Sequence, residues 1–162
     1  MKFVGTFAFS YNDQFVALVK KDTKKLPHLN GKWNGIGGKI EIGESPVGAA
    51  MREFAEETLI RLNKDDMVFV EHQRFPSGVR VAADSRYCVG DEVYWYAVRL
   101  PVDAAGCLPL LPRQNDAGED QRWHSVQSTH GVYLNEWLCP NVGYLIPKAV
   151  IMLQTPYLDR PA

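Results

Sequence analysis

The sequence has no long apolar run, almost no net charge and few cysteines, and each shortage removes a class of function. No stretch approaches the ~20 consecutive apolar residues that cross a bilayer, so no membrane partner is expected. The apolar residues 3–9 form a short segment followed at once by Tyr11-Asn12-Asp13. That reads as a strand and turn, not as a signal peptide. A formal net charge of −1 supplies no bulk attraction to a nucleic-acid polymer or a membrane surface. An anionic ligand must therefore be held by local basic groups and metal. Cys88, Cys107 and Cys139 are odd in number and lack metal-ligand spacing, which predicts reduced thiols in a cytoplasmic protein and no disulfide framework. Internal repeats and low-complexity tracts are also missing. What remains is a chain of 162 residues with 46% hydrophobic content, predicted to form one domain over residues 1–162 with a real core.

The most informative stretch is residues 38–60, GKIEIGESPVGAAMREFAEETLI. Ser45-Pro46 reads as a helix start, with serine as N-cap and proline at the first helical position. Good helix formers then continue to about Leu59. Spacings of three and four residues share a helix face, so Glu53, Glu56 and Glu57 fall within an arc of about 100°. Met51, Phe54, Ala55 and Thr58 lie on the other side, predicting an apolar stripe on the core and a carboxylate wall facing out. Clustered carboxylates repel by a few tenths of a kcal/mol per pair. A hard divalent ion relieves that repulsion: Mg²⁺ uses few carboxylates, several waters and the phosphates of a substrate. It would neutralise a pyrophosphate, orient it and acidify an attacking water. Gly37 and Gly38 allow the backbone to approach a ligand or metal closely.

The same stretch resembles the Nudix box, G-x5-E-x7-R-E-U-x-E-E-x-G-U with U a bulky apolar residue. Gly38, Glu44, Arg52-Glu53, Phe54, Glu56-Glu57 and Ile60 match it, and Leu59 stands where the pattern has glycine. The resemblance implies a Nudix hydrolase using Mg²⁺, with Mn²⁺ as an alternative. It assigns the Gly38 carbonyl, Glu56 and Glu57 to the metal, Glu53 to the metal or to general-base work, and Arg52 to orienting Glu53 through a charge-assisted, bidentate-capable hydrogen bond. Glu44 is assigned to fixing the loop. Glu119 lies where several relatives carry a further metal-binding group, and Asp120 is an equal candidate by spacing. Leucine resists the left-handed conformation that glycine takes at a helix end, so the helix is expected to run on toward Arg61-Leu62-Asn63, with Asn63 as the alternative cap and an altered loop.

Residues Lys2–Phe9, Phe15–Lys20, 67–74, 80–89, 92–100 and 121–126 read as strands. Residues 21–32 and 101–118 read as loops, and Val142–Gln154 as a final buried helix with Pro147 near its first turn. Mixed strands with two helices predict an α/β fold, which agrees with the α/β/α sandwich of the Nudix resemblance: a central mixed sheet between the box helix and a C-terminal helix.

The run Trp33-Asn34-Gly35-Ile36-Gly37-Gly38-Lys39 is similar to MutT-like nucleoside-triphosphate pyrophosphohydrolases, including those acting on oxidised purine nucleotides. That likeness gives Asn34 to base recognition, for which an amide offers both donor and acceptor, and Lys39 to substrate binding. Trp137 and Asn141 sit near the C-terminus where those enzymes have a base-stacking tryptophan and acidic residues, Asn141 replacing an acid. Lys20 and Lys21 end the second predicted strand within reach of substrate phosphates. The implied partner is a nucleotide, and a homodimer stays open. Pro76, sixteen residues past the box, matches a proline of ADP-ribose-cleaving relatives, so ADP-ribose or a dinucleoside polyphosphate is the alternative substrate. A non-catalytic nucleotide-binding domain is the alternative of another class.

Overall fold

The computed structural model describes residues 1–22, 29–74, 91–129, 137–139 and 141–155. Strand β1 (Lys2–Phe9) is buried along nearly its whole length and runs parallel to β5 (Glu92–Arg99), in register from Lys2↔Glu92 to Phe9↔Arg99. β2 (Phe15–Lys20) and β4 (Val68–Arg74) flank this pair in antiparallel sense, and β6 (Gln121–Ser125) joins β2. A short β3 (Trp33–Asn34) also pairs β2, giving a mixed six-stranded sheet of order β3-β2-β1-β5-β4 with β6 on β2.

Alternation along the strands divides the core between the two faces. Phe3, Phe7, Phe9, Val93, Trp95 and Ala97 pack with helix α2 (Val142–Gln154) through Val142, Leu145, Ile146, Ala149 and Leu153. Val4, Ala8, Tyr96 and Val98 face the other way, toward helix α1 (Pro46–Thr58), which buries Ala49, Ala50, Phe54 and Thr58. The sandwich is the α/β/α arrangement predicted above. The N-terminus of α1 is also as read: Pro46 leads the helix and Ser45 Oγ accepts the Gly48 N–H at 3.2 Å.

β1 and β2 pair only at Ala8↔Ala17 and Phe9↔Val16, then splay. Residues 33–39 fill the gap. They pair with β2 at Asn34 and Trp33 and with β1 through the bridges Thr6↔Ile36 and Phe3↔Lys39. This wedge is what brings the glycine run against the first turns of α1.

Three expectations need correction. The helix does not run past Leu59: Leu59 itself takes the left-handed conformation (φ 63°, ψ 10°) and ends α1. Its side chain is 80% exposed, so it meets no packing conflict. Thr58 Oγ1 accepts the Ile60 N–H at 3.2 Å, and Ile60 packs on the core beneath α1, drawing the chain inward. Asn63 caps the 3₁₀ turn Lys64–Asp66 instead. The carboxylate wall does not face out as a unit, because Glu53 and Glu57 are half-buried and only Glu56 is exposed. Pro147 lies inside α2, beyond its first turn, and supplies no N–H to the Gly143 carbonyl four residues back. The predicted strand at 80–89, together with Pro76 and Cys88, lies outside the described residues.

Candidate active site

The glycine run is hydrogen-bonded onto β1 as an extra strand segment. Thr6 and Ile36 exchange bonds of 2.7 and 3.0 Å, Val4 N–H donates to the Gly38 carbonyl at 2.9 Å, and Ile40 N–H donates to Lys2 at 3.0 Å. Backbone this close leaves no room for side chains. A Cβ on Gly37 would lie 2.3 Å from the Val4 carbonyl oxygen, and one on Gly38 would lie 2.4 Å from Glu53 Oε2. The Glu53 carboxylate thus rests directly against the Gly38 backbone.

Arg52 ties this corner together. Its Nε and Nη2 form the two-pronged pair with Glu44 (3.0 Å each), Nη1 donates to Glu53 Oε1 at 2.9 Å and to Glu56 Oε2 at 3.0 Å, and Nη2 also donates to the Lys39 carbonyl at 3.0 Å. The bidentate partner is therefore Glu44, while Glu53 receives a single bond. The hydrogen bonds to Glu44 and Glu53 raise the guanidinium pKa further, and Arg52 in turn lowers that of Glu44. The side chain acts as a brace between the 39–44 turn and α1.

Glu57 occupies the inner side of the same helix. Its Oε2 is enclosed and has no hydrogen-bond partner among the described residues. Burial, then the nearby charges of Glu119 and Glu53, push its carboxyl up to about 7, against the lowering charge of Lys21 and an Asn115 hydrogen bond. The helix is held against β6 here, where Gln121 Nε2 donates to the Glu57 backbone carbonyl at 2.6 Å.

Between Glu119 and Asp120 the structure distinguishes sharply. Glu119 is buried and accepts from Lys21 Nζ at 3.0 Å, Asn115 Nδ2 at 3.1 Å and the Asp22 N–H at 3.2 Å. Asn115 Oδ1 accepts the Ala117 and Glu119 N–H groups, folding residues 115–119 into a tight turn that aims Glu119 inward. Asp120 turns outward, accepting from Gln114 at 3.2 Å with Arg122 3.7 Å away.

Gly38, Arg52, Glu53, Glu56, Glu57 and Glu119 are thus gathered at one corner of the α1 face. Asn115 and Gln121, which the sequence did not single out, complete it; an Asn four residues before Glu119 is the only trace of that turn. Among the described residues no three carboxylate, imidazole or thiol groups are placed to hold a metal ion together. The donor set is nonetheless one of hard oxygens, which suits Mg²⁺ bound through a few carboxylates and a substrate's phosphates. The unpartnered, proton-hungry Glu57 oxygen is the atom that a cation would satisfy, so the residues present fit such an ion.

The expected substrate contacts are dispersed. Asn34 Oδ1 accepts the Gly35 N–H at 2.9 Å, a local turn bond. Lys39 and Lys20 are exposed, Lys20 lining an open cleft of about 310 Å³ with Lys21, Asp22 and Asn30. Trp137 is half-buried, its carbonyl accepting the Trp33 N–H at 2.8 Å and its ring tilted 5.5 Å from His124. Burial lowers His124 to about 4, so that ring is neutral at pH 7. Asn141, left-handed at φ 73°, precedes α2 and donates to Gln73 Oε1 at 2.7 Å. The same oxygen receives Trp95 Nε1 at 2.9 Å. Gln73 is a further residue that its sequence context did not mark.

A family model described as the NUDIX domain matches residues 1–139. Among solved structures, the NUDIX domain of Shewanella oneidensis NrtR complexed with ADP ribose superposes with a TM-score of 0.68 at 18% identity, covering 94% of this chain and 88% of that one. An Ap4A hydrolase from C. elegans gives 0.60 at 17%, covering 94% and 97%. A MutT/nudix family protein from Enterococcus faecalis gives 0.58 at 19%, covering 76% of this chain but 43% of that longer one. At these identities the likeness is one of fold. Among the described residues no helix is long and apolar enough to cross a membrane.

Proposed function

This chain belongs to the Nudix hydrolase family, and we propose that it is a Mg²⁺-dependent pyrophosphohydrolase that cleaves a nucleoside triphosphate to the monophosphate and pyrophosphate. The observation that supports the metal most directly is Glu57, a carboxylate enclosed beside Glu119 with one oxygen unpartnered. Gly38, Glu53, Glu56, Glu57 and Glu119 are the residues that would hold Mg²⁺ or Mn²⁺. The ion supplies charge neutralisation at the phosphates and a more acidic water.

The chain's own groups do the rest. Glu53, or Glu56 beside it, takes the proton of the attacking water as a new P–O bond forms and the bond to the leaving oxygen breaks. Arg52, bonded to both, holds either carboxylate in place; it is a positioning residue. The nucleotide lies across the corner, with Lys39 and Lys20 available to its phosphates. Asn34, Trp137 and Asn141 are assigned to the base and sugar, Asn141 with Gln73 behind it. The triphosphate reading is favoured by the Trp33–Lys39 run, and a cytoplasmic site of action accords with it.

A substrate panel tests this: canonical, oxidised and methylated triphosphates, ADP-ribose and dinucleoside polyphosphates, each with Mg²⁺. Pyrophosphate release from at least one triphosphate, lost in Glu57→Gln, is expected. AMP plus ribose phosphate as the dominant products would transfer the assignment to ADP-ribose. Tight nucleotide binding with no turnover in either Mg²⁺ or Mn²⁺ would reduce the protein to a nucleotide-binding module.

A further inference from the structure

The acidic corner contains a cation of its own. Lys21 follows β2, and its ammonium lies 3.0 Å from Glu119 Oε2, both side chains being largely enclosed at 19% and 10% exposure. Two further N–H donors, from Asp22 and Asn115, complete the Glu119 carboxylate. The charge of Lys21 also reaches Glu57. One ammonium therefore serves two carboxylates assigned above to a divalent ion, the buried Glu119 and the half-buried Glu57. On its other side Lys21 lines the open cleft of about 310 Å³, where Lys20 adds a second positive charge and Asp22 and Asp120 contribute carboxylates, with Asn30 and Gln114 between them.

We propose that Lys21 exchanges partners: it neutralises Glu119 while no divalent ion is held, and swings to a phosphate group in the cleft once Glu119 is engaged by one. The inference rests on the metal reading of this corner. An ammonium and a divalent ion on the same carboxylate repel each other strongly where water is scarce. Asn115 and the Asp22 N–H keep Glu119 in place when the ammonium leaves, so the carboxylate need not move. Lysine suits the exchange, being a compact charge on a flexible stem with three rotatable donors, whereas a planar guanidinium is bound to a fixed geometry. The released ammonium has the cleft before it, and an anion there is its natural next partner. Ion binding and phosphate binding are thereby coupled through one side chain.

The test is a Mn²⁺ titration followed by electron paramagnetic resonance on the wild type, Lys21→Met and Lys21→Arg, with pyrophosphate binding to the Mn²⁺-loaded proteins measured by calorimetry. With the competing charge removed, Lys21→Met should bind Mn²⁺ about tenfold more tightly, the worth of one partly buried charge pair. The same variant should bind pyrophosphate about tenfold more weakly. Its melting temperature should fall in EDTA, where Glu119 has lost its counter-charge, and recover with saturating Mn²⁺. Lys21→Arg should stay close to the wild type in the EDTA melt. Unchanged or weaker Mn²⁺ binding in Lys21→Met would overturn the exchange, as would tighter Mn²⁺ binding with pyrophosphate affinity intact. A melting temperature that Mn²⁺ does not restore would make Lys21 a plain strut. A wild type that takes up no Mn²⁺ at this corner would instead remove the metal reading itself.

Discussion

Replacing Glu57 by glutamine should make the metal-free protein more stable while destroying its activity. The carboxyl is held at about 7 in the fold against an ordinary value of 4.5. At ~1.4 kcal/mol per pH unit, that difference is about 3 kcal/mol of strain on the ionised form, taken as an upper bound. The sign follows from proton uptake. Below pH 4.5 the group is protonated in both states and contributes no penalty. As pH rises toward 7 the unfolded chain ionises first, and stability falls; above 7 the whole penalty is felt. Glutamine has the shape of the protonated acid and removes the titration. In EDTA, Glu57→Gln should therefore unfold with the wild type near pH 4.5 but outlast it at pH 8.5, by roughly 6–12 °C for a chain of this size. Saturating Mg²⁺ should then lift the wild type and leave the variant unmoved. Urea and thermal melts at the two pH values, with and without metal, are sufficient. A variant less stable than the wild type at pH 8.5 in EDTA would refute the reasoning, because it would mean that the ionised carboxylate is well solvated or paired where it stands.

Arg52→Ala should lower kcat for pyrophosphate release by about 100-fold through misplacement of Glu53 and Glu56, and Arg52→Lys should recover little, since an ammonium cannot replace the fork shared with Glu44; steady-state kinetics on both variants decide it. Gly38→Ala places a methyl 2.4 Å from Glu53 Oε2, so turnover should drop by a similar factor of about 100 with the circular dichroism spectrum retained. Leu59→Gly should relieve the left-handed leucine and stabilise the protein by about 1 kcal/mol, a rise of roughly 2–4 °C in Tm with activity unaltered. A lower Tm would show that Leu59 contributes contacts worth more than its backbone strain.

Much of this architecture was readable because it is local. The segment EVYWYAVR is rich in β-branched and aromatic residues and is strand β5, and Ser45-Pro46 started α1 where capping chemistry says it should. Helical spacing likewise put Glu53, Glu56 and Glu57 on one arc. What escaped depends on contacts distant in sequence. Trp33-Asn34 between glycines looks like a turn, and becomes β3 only because β1 and β2 splay and leave a gap. Which glutamate is enclosed is decided by residues 115–121, some sixty positions away, whose Asn115 turn and Gln121 amide close over Glu57. The left-handed Leu59 has a related cause: its backbone conformation is settled by Thr58 and by the packing of Ile60 on the core, and propensity alone sees neither.

The attachment of residues 36–40 to β1 has a last consequence. Segments that contact ligands are commonly the first to open, fraying independently of the body of a protein. Here the backbone beside Glu53 is stitched into the middle of the sheet by the amides of Val4 and Thr6, so loosening it means prying apart the central strands themselves. Catalytic competence and global cooperativity should accordingly vanish together: in a denaturant series the remaining activity would trace the fraction of intact molecules, with no range in which a folded but inert species accumulates.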